Sequence, residues 1–214
     1  TKELDQSKGQ THDYMVADFS DSDDLRKKAA QLTSSKTIHI LINNTGGPPS
    51  GPIVAAEPQA FQQAFHNHLI CNHVLAQACV PGMRDAGYGR IINVISTSVK
   101  SPLNNLGVSN TVRAAVANWA KTLANELGEF GITVNNVLPG ATETDRLDEI
   151  FTGKAEKQGV SKEEIIRQGK SAIPAGRFGQ PRELGQAIAF LASPAAAYIN
   201  GINLPVDGGR TGCL

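Results

Sequence analysis

The sequence lacks an excess of charge of either sign. Its 214 residues include 20 Lys and Arg residues and 20 Asp and Glu residues. Nucleic-acid-binding proteins need a basic surface to neutralise phosphates, and this balance argues against such a partner. Long apolar runs are also missing, because no stretch approaches the roughly 20 residues of a membrane-spanning helix. The composition therefore predicts a globular protein that binds neither nucleic acid nor a membrane.

Cysteine is scarce as well. The chain has only Cys71, Cys79 and Cys213, and a sparse, odd number is typical of a reducing compartment. Cys71 and Cys79 are eight residues apart in a predicted helix, roughly 12 Å along its axis, which is too far for a disulfide. We therefore expect a cytoplasmic protein with buried, free thiols.

The histidines do not form a metal-binding pattern. His66, His68 and His73 lie close together in one predicted helix, with no carboxylate among them. His66 and His73, seven residues apart, share a helix face, but His68 does not. We expect no metal site.

Short apolar runs alternate with helical patterns along the chain. Strands are predicted at 13–19, 38–43, 90–96, 131–140 and "NGINLPVDGG", and helices at 21–32, 58–83, 106–127, the middle of 141–180 and "PRELGQAIAFLAS". The continuous apolar run 38–43 predicts a strand buried on both faces. Strands that alternate with helices form a parallel sheet covered on both sides. We predict one α/β domain over 1–214, a Rossmann-like doubly wound sheet in three layers, whose ligands bind at the carboxyl ends of the strands.

Several motifs lie at these strand ends in a fixed order. They are "NNTGG", "GRIINVIS", "GITVNNVLPGATETD" and the long C-terminal segment from "PAGRFGQ" to "PVDGG". Together they resemble the short-chain dehydrogenase/reductase family, most closely its 3-oxoacyl-[acyl-carrier-protein] reductase branch. The resemblance implies an oxidoreductase that transfers hydride between NAD or NADP and a small carbonyl or acyl substrate. It also implies a homodimer or homotetramer formed through helices 58–83 and 106–127.

The same resemblance implies where the coenzyme binds. Asp18 corresponds to an acidic residue near the adenine. The turn that approaches the ribose corresponds to Asn43, Asn44 and Gly46. The segment bordering the nicotinamide and its phosphates corresponds to Pro139, Gly140 and Thr144. Glycines allow the backbone to approach a ligand closely, and a short hydroxyl side chain can donate to a phosphate or carboxamide. The alternative for "NNTGGPP" is a plain turn between strand and helix.

The chain departs from the family pattern at its front. A Gly-rich loop that cradles pyrophosphate at a helix N-terminus is not found in the 214 residues. Roughly 45 residues of the pattern, about one βαβ unit with its lead-in, have no counterpart. In the family they include the centre of the sheet, and without them long strand edges would be left unpaired. We therefore expect the sequence to be part of a longer chain.

A second departure concerns catalysis. Ser96 matches the family serine that binds the substrate carbonyl, but Ser109 and Arg113 replace its tyrosine and lysine, and His68 replaces its asparagine. Serine is a far weaker acid than tyrosine, and arginine stays protonated. We therefore expect Ser96 and Ser109 to hold a carbonyl and Arg113 to stabilise charge. His68, whose ordinary pKa is near neutrality, or Lys100 would supply a proton.

Other interpretations remain open at this point. Arg113 could bind a carboxylate or phosphate of an acidic substrate, or the chain could be a catalytically silent, dinucleotide-binding or scaffold subunit. Each residue also has a purely structural alternative, such as a strand-end hydroxyl for Ser96 or a structural cation for Arg113. The charged segment 141–175 corresponds to the family's substrate lid. Its basic residues could contact an acidic substrate or acyl carrier, or belong to a solvated helix.

Overall fold

A parallel β-sheet forms the centre of the computed structural model, which describes residues 4–213. The strands are β1 (Ile40–Asn43), β2 (Gly89–Val94), β3 (Ile132–Pro139) and β4 (Asn203–Val206). They lie in chain order, and each is parallel to its neighbours. Every strand therefore ends at the same edge of the sheet, where the functional residues are expected.

Helices cover the two faces of this sheet. They are α1 (Ser22–Thr33), α2 (Pro58–Phe65), α3 (Cys71–Asp85), α4 (Gly107–Leu127), α5 (Asp145–Gln158), α6 (Lys162–Ser171) and α7 (Pro181–Ala192). On one face, Met83 of α3 and Ala120 of α4 pack with Ile91 of β2. On the other, Leu191 of α7 packs with Ile92 of β2. The predicted three-layer α/β fold is confirmed.

The predicted helix 58–83 is continuous but not regular. A π-helical segment, His66–Ile70, joins α2 to α3. One extra residue is thus accommodated in this turn, and the side chains on either side of it do not follow the ordinary 100° spacing. The segment rotates residues 67 and 68 toward the carboxyl ends of β1 and β2, which matters for the site.

Helices α5 and α6 form a small unit beyond the end of β3. Phe151 and Ala155 of α5 pack with Ile165 of α6, and Ile173 and Phe178 complete this cluster. Segment 141–180, predicted to be helical in its middle, therefore has a small apolar core of its own. It lies over the carboxyl edge of the sheet because β3 leads directly into it.

Two predictions about the N-terminal third are wrong. Segment 13–19 has no regular structure, and Tyr14 and Val16 are 76% and 75% exposed. No neighbouring strand in the described residues offers it backbone partners. Strand β1 is not buried on both faces, since Ile40 and Ile42 are 43% and 46% exposed. It is the edge strand here, and only its other face packs against helices.

The cysteines follow the expectation in part. Cys71 and Cys79 are buried free thiols, as predicted, but Cys213 is exposed. Burial raises the pKa of the Cys79 thiol to about 11, which keeps it protonated and unreactive. Among helices within 4–213, none has the length and apolar character needed to cross a membrane.

Candidate active site

A ladder of asparagine side chains crosses the sheet near its carboxyl edge. The Nδ2 of Asn43 donates to Asn93 Oδ1 (2.8 Å), Asn93 donates to Asn136 (2.9 Å), and Asn136 donates to Asn203 (2.8 Å). The four residues are direct neighbours in the strand register. Buried amides need such partners, and the ladder therefore helps to fix the register of the four strands.

The turn after β1 meets the π-helical segment. Thr45 Oγ1 lies 2.5 Å from Nδ1 of His68, and the His68 side chain is only 2% exposed. The irregular turn is what brings His68 inward, while the adjacent Asn67 lines the cleft beside Thr45 and Gly46. The correspondence of His68 with the family asparagine stays a prediction, and the structure shows His68 held by a hydrogen bond to the turn.

The protonation of His68 differs from what the sequence predicts. Burial, together with the nearby Arg113 charge, lowers the pKa of His68 to about 4 from an ordinary 6.5. The imidazole is therefore neutral at pH 7, because the charged form is poorly solvated there. The expectation that His68 acts as an acid with a pKa near neutrality is wrong for this reason. A neutral imidazole can still exchange a hydrogen bond with the Thr45 hydroxyl.

Arg113 is buried between the ends of two strands. Its Nη1 donates to the Val94 carbonyl (3.0 Å) and its Nη2 to the Thr45 carbonyl (3.2 Å), and the residue is 7% exposed. Burial and then the charge of Arg146 lower the pKa of Arg113 to about 10, which leaves it protonated at neutral pH. The guanidinium thus joins the turn after β1 to the end of β2 and places a positive charge there.

The predicted serines lie on both sides of this arginine. Ser96, two residues beyond Val94, is half-buried, and its Oγ accepts a hydrogen bond from the Ser98 N–H (3.1 Å). Its own hydroxyl hydrogen remains available to a ligand. Ser109, one turn before Arg113 on α4, is also half-buried. Lys100 lies in the loop after Ser96, half-buried, and no described contact joins its ammonium to the other residues.

A cleft of about 500 Å³ opens beside the turn after β1. Its walls are Val16, Ala17, Asp18, Phe19, Thr45, Gly46 and Asn67. Asp18 accepts hydrogen bonds from the backbone and hydroxyl of Ser20, which lower its pKa, and its carboxylate is therefore ionised at neutral pH. A Cβ added to Gly46 would meet no atom within 4 Å, so that side of the cleft is open to a ligand. Asn44 is exposed in the same turn.

The end of β3 forms the opposite wall of the carboxyl edge. A Cβ on Gly140 would lie 2.6 Å from the Cα of Asp207, so this position requires glycine for β3 and the end of β4 to pack. Pro139 ends β3, and the Thr144 hydroxyl accepts from the Leu147 N–H (3.4 Å) to cap α5. Pro139 and Gly140 therefore position the chain, while Thr144 sets the start of α5.

The residues present fit part of a dinucleotide coenzyme. Asp18 offers an acceptor for an adenine amine or ribose hydroxyl, and the open Gly46 admits a flat ligand close to the backbone. Asn43, by contrast, uses its amide nitrogen on Asn93, so its role in the ladder limits what it can offer a ligand. Among residues 4–213, no group of three or more His, Cys, Asp or Glu side chains could hold a metal ion.

Sequence reasoning identified several members of this site and missed others. Thr45 is not predicted, because its contact with His68 depends on the π-helical segment. Asn93, Asn136 and Asn203 are not predicted either, although each is an amide within or beside an apolar run; their alignment depends on the strand register. Arg146 is, from the sequence alone, one of several basic residues of segment 141–175. Its position beside Arg113 depends on the path of the chain after β3.

Comparisons with known proteins agree with this architecture. Residues 1–211 match the family model described as "Enoyl-(Acyl carrier protein) reductase". The 3-oxoacyl-[acyl-carrier-protein] reductase of Vibrio cholerae is 35% identical over 174 residues, which cover 80% of this chain. The chain spans 66% of the length of that curated relative.

Two solved structures of related proteins share the fold. The L-sorbose reductase of Gluconobacter frateurii, solved with NADPH and L-sorbose, superposes with a TM-score of 0.86 at 29% identity, covering 93% of this chain and 76% of its own. A gluconate 5-dehydrogenase of Burkholderia cenocepacia, solved with NADP and tartrate, gives 0.82 at 29% identity, covering 93% and 75%. The chain belongs to the short-chain dehydrogenase/reductase family, in the branch that resembles the 3-oxoacyl-[acyl-carrier-protein] reductases.

Proposed function

We propose that the protein is an NAD(P)-dependent oxidoreductase that transfers hydride between the nicotinamide and a small carbonyl or hydroxyl compound. The observation that carries the proposal is the arrangement of Ser96, the Thr45–His68 pair and Arg113 around the ends of β1 and β2. The relatives with solved structures include proteins described with NADP or NADPH. Those descriptions support a coenzyme of this class here.

Coenzyme binding would use the cleft beside the turn after β1. We assign Asp18, Asn43, Asn44 and Gly46 to the adenosine and ribose side. Pro139, Gly140 and Thr144 would border the nicotinamide. When bound, the coenzyme would supply or accept the hydride.

Ser96 and the Thr45–His68 pair would handle the substrate oxygen. Because Ser96 Oγ already accepts from Ser98, its hydrogen is free to donate to a carbonyl. In the tautomer that carries hydrogen on Nδ1, His68 donates to Thr45 Oγ1 and leaves the Thr45 hydrogen free for the same oxygen. Arg113 contributes a fixed positive charge that favours a developing oxyanion. Ser109 and Lys100 remain candidate substrate contacts at the rim.

Isotope transfer tests the proposal directly. Deuterium transfer from 4-deuterated NADPH and NADH to a panel of carbonyl compounds would be followed by mass spectrometry. We expect transfer in the unaltered protein and a loss of at least roughly 10-fold in Ser96→Ala, the scale of one charge-assisted hydrogen bond. Absence of transfer with NAD(P)H still bound would contradict the proposal and favour a silent dinucleotide-binding subunit.

We also propose a cellular compartment and an oligomeric state for the protein. Three free cysteines support a reducing compartment, and we propose the cytoplasm. We also propose a homodimer or homotetramer in which the helix formed by α2 and α3, together with α4, pairs with a second copy. Phe65, at the end of α2, is 42% exposed and supplies apolar surface for such a contact.

A further inference from the structure

The side chain of Arg146 extends from α5 toward the sheet. It lies in the first turn of α5, directly after the Thr144 cap. Its Nη2 is 3.5 Å from the position that a Cβ on Gly47 would occupy. The guanidinium therefore extends from α5 to the turn that follows β1, on the same side as Arg113. A Cβ at position 47 would make an ordinary van der Waals contact with this head group, so Arg146 lies directly against the turn.

The acidic residues near Arg146 do not neutralise it. Asp148 pairs with Lys162 on α6, with 2.6 Å between Oδ1 and Nζ. Glu143 accepts a hydrogen bond from Gln180. Within residues 4–213, Arg146 forms no ion pair with a carboxylate. Its charge is therefore available to a ligand.

Arg113 adds a second charge behind the first. It is 7% exposed, and its two described partners are neutral backbone carbonyls. No described carboxylate forms an ion pair with it either. The Arg146 charge is close enough to lower the pKa of Arg113. Two neighbouring cations that share no counter-ion repel each other, and an anion placed between them removes that cost.

We propose that Arg146, with Arg113 behind it, binds a carboxylate or phosphate group at the mouth of the active site. A planar guanidinium can hold either group through two parallel hydrogen bonds, which gives orientation as well as affinity. Two sources share this chemistry, namely an acidic substituent of the substrate and a phosphate of the coenzyme. The assignment of these sources rests on the proposed function; the anion site itself does not.

Direct binding measurements test the site without any turnover. Titration calorimetry on the full chain would use tartrate, inorganic phosphate, NADPH and NADH as probes. Arg146→Gln removes the charge, and Arg146→Lys keeps it without the planar fork. Lys154→Gln is the matched control, because Lys154 is an exposed cation two turns further along the same helix. Arg146 is exposed, so these substitutions leave the core intact.

We expect Arg146→Gln to weaken tartrate or phosphate binding roughly 10- to 100-fold, as for the loss of a charge-assisted bidentate contact. Arg146→Lys should be intermediate and Lys154→Gln within about 2-fold of the unaltered protein, as for a surface charge remote from the ligand.

Tartrate binding on top of saturating NADPH would assign the site to the substrate. Competition, with NADPH itself weakened in Arg146→Gln, would assign it to the coenzyme. Unchanged binding of every probe in Arg146→Gln, or no binding of any probe to the unaltered protein, would overturn the proposal. A failure of isotope transfer with intact anion binding would reject the proposed reaction alone.

Discussion

Ser109 and Arg113 are the positions at which the resemblance to the family predicts a tyrosine and a lysine. They occupy successive turns of α4, at the spacing of the family's tyrosine and lysine. Arg113 uses its fork to bind two carbonyls at once, a task that one lysine ammonium performs less well. Arg113 therefore acts as a structural bridge with a permanent charge and cannot relay a proton at neutral pH.

Restoring the tyrosine and lysine should raise the rate of the proposed reaction. A tyrosine beside a lysine provides an acid of lowered pKa, and a positioned general acid is typically worth about 10²- to 10⁴-fold. We expect the double variant Ser109→Tyr/Arg113→Lys to gain in single-turnover hydride transfer by that order. Ser109→Phe/Arg113→Lys matches its size without the hydroxyl and is the control. Equal rates in the two double variants would show that the tyrosine hydroxyl is not in reach of the substrate.

His68 should make stability depend on pH. Its pKa is about 4 in the folded protein and near 6.5 when unfolded, so the unfolded chain binds more protons between these values. The free energy of unfolding should therefore decrease as the pH falls from 7 to 5, by about 2 kcal/mol from this group. Urea unfolding at both pH values measures it.

The His68 experiment has a matched control. His68→Asn should lose this pH-dependent part, while His39→Asn, at an exposed position, should keep it. If His68→Asn loses as much stability between pH 7 and pH 5 as the unaltered protein, another group is responsible.

Ser96 and His68 differ in how far their positions can be predicted from the sequence. The position of Ser96 follows from one strand and could be predicted, because a residue at a strand end is placed by the strand itself. The inward orientation of His68 could not, because it depends on an extra residue in the π-helical segment, which helical spacing alone does not reveal. The low pKa of His68 also depends on a charge 45 residues away, at Arg113.

At the scale of elements, the asparagine ladder ties the strands together. Asn93 is 0% exposed and both accepts from Asn43 and donates to Asn136, whereas Asn203 only accepts, from Asn136. Removing Asn93 therefore leaves two buried polar partners unpaired, and removing Asn203 leaves one. Each unpaired buried group costs about 1–3 kcal/mol.

Substitutions at different positions of the ladder should therefore lower the free energy of unfolding by different amounts. Asn93→Val should lower the free energy of unfolding by roughly 2–5 kcal/mol, about twice the loss in Asn203→Val. Equilibrium urea unfolding of the two variants gives the comparison, and the same residue is introduced at both positions. A larger loss at Asn203 than at Asn93 would mean that side-chain packing, and not the ladder, dominates at this level of the sheet.

Element types were more predictable than their surroundings. The helices at 106–127 and 181–192 follow from apolar periodicity and from a proline at the start of the second, and both are confirmed. Segment 13–19 has the composition of a strand but lacks a partner, and a strand exists only through its neighbours. The burial of β1 was wrong for the same reason, since an apolar run does not say whether both sheet faces are covered.

At the scale of the whole molecule, the free edge of β1 combines an unpaired polar atom with exposed apolar side chains. Asn43 Oδ1, at the open end of the ladder, is buried without a hydrogen-bond donor in residues 4–213. Ile40 and Ile42 on the same strand are about half exposed. Exposed apolar edge strands promote association between chains. We propose that a further strand pairs with β1, donates to Asn43 and belongs to the same polypeptide.

The intact mass of the protein from its natural source tests this proposal. The 214 residues have a mass of 22.6 kDa. If a βαβ unit with its lead-in completes the sheet, the mass should exceed that value by roughly 5 kDa, for about 45 further residues. Hydrogen exchange at Ile40–Asn43 should then be slow in the longer protein and fast in the 214-residue chain, because only the former pairs both edges of β1. A folded, monomeric protein of 22.6 kDa with slow exchange along β1 would contradict the proposal, since that edge would then be protected by some other means.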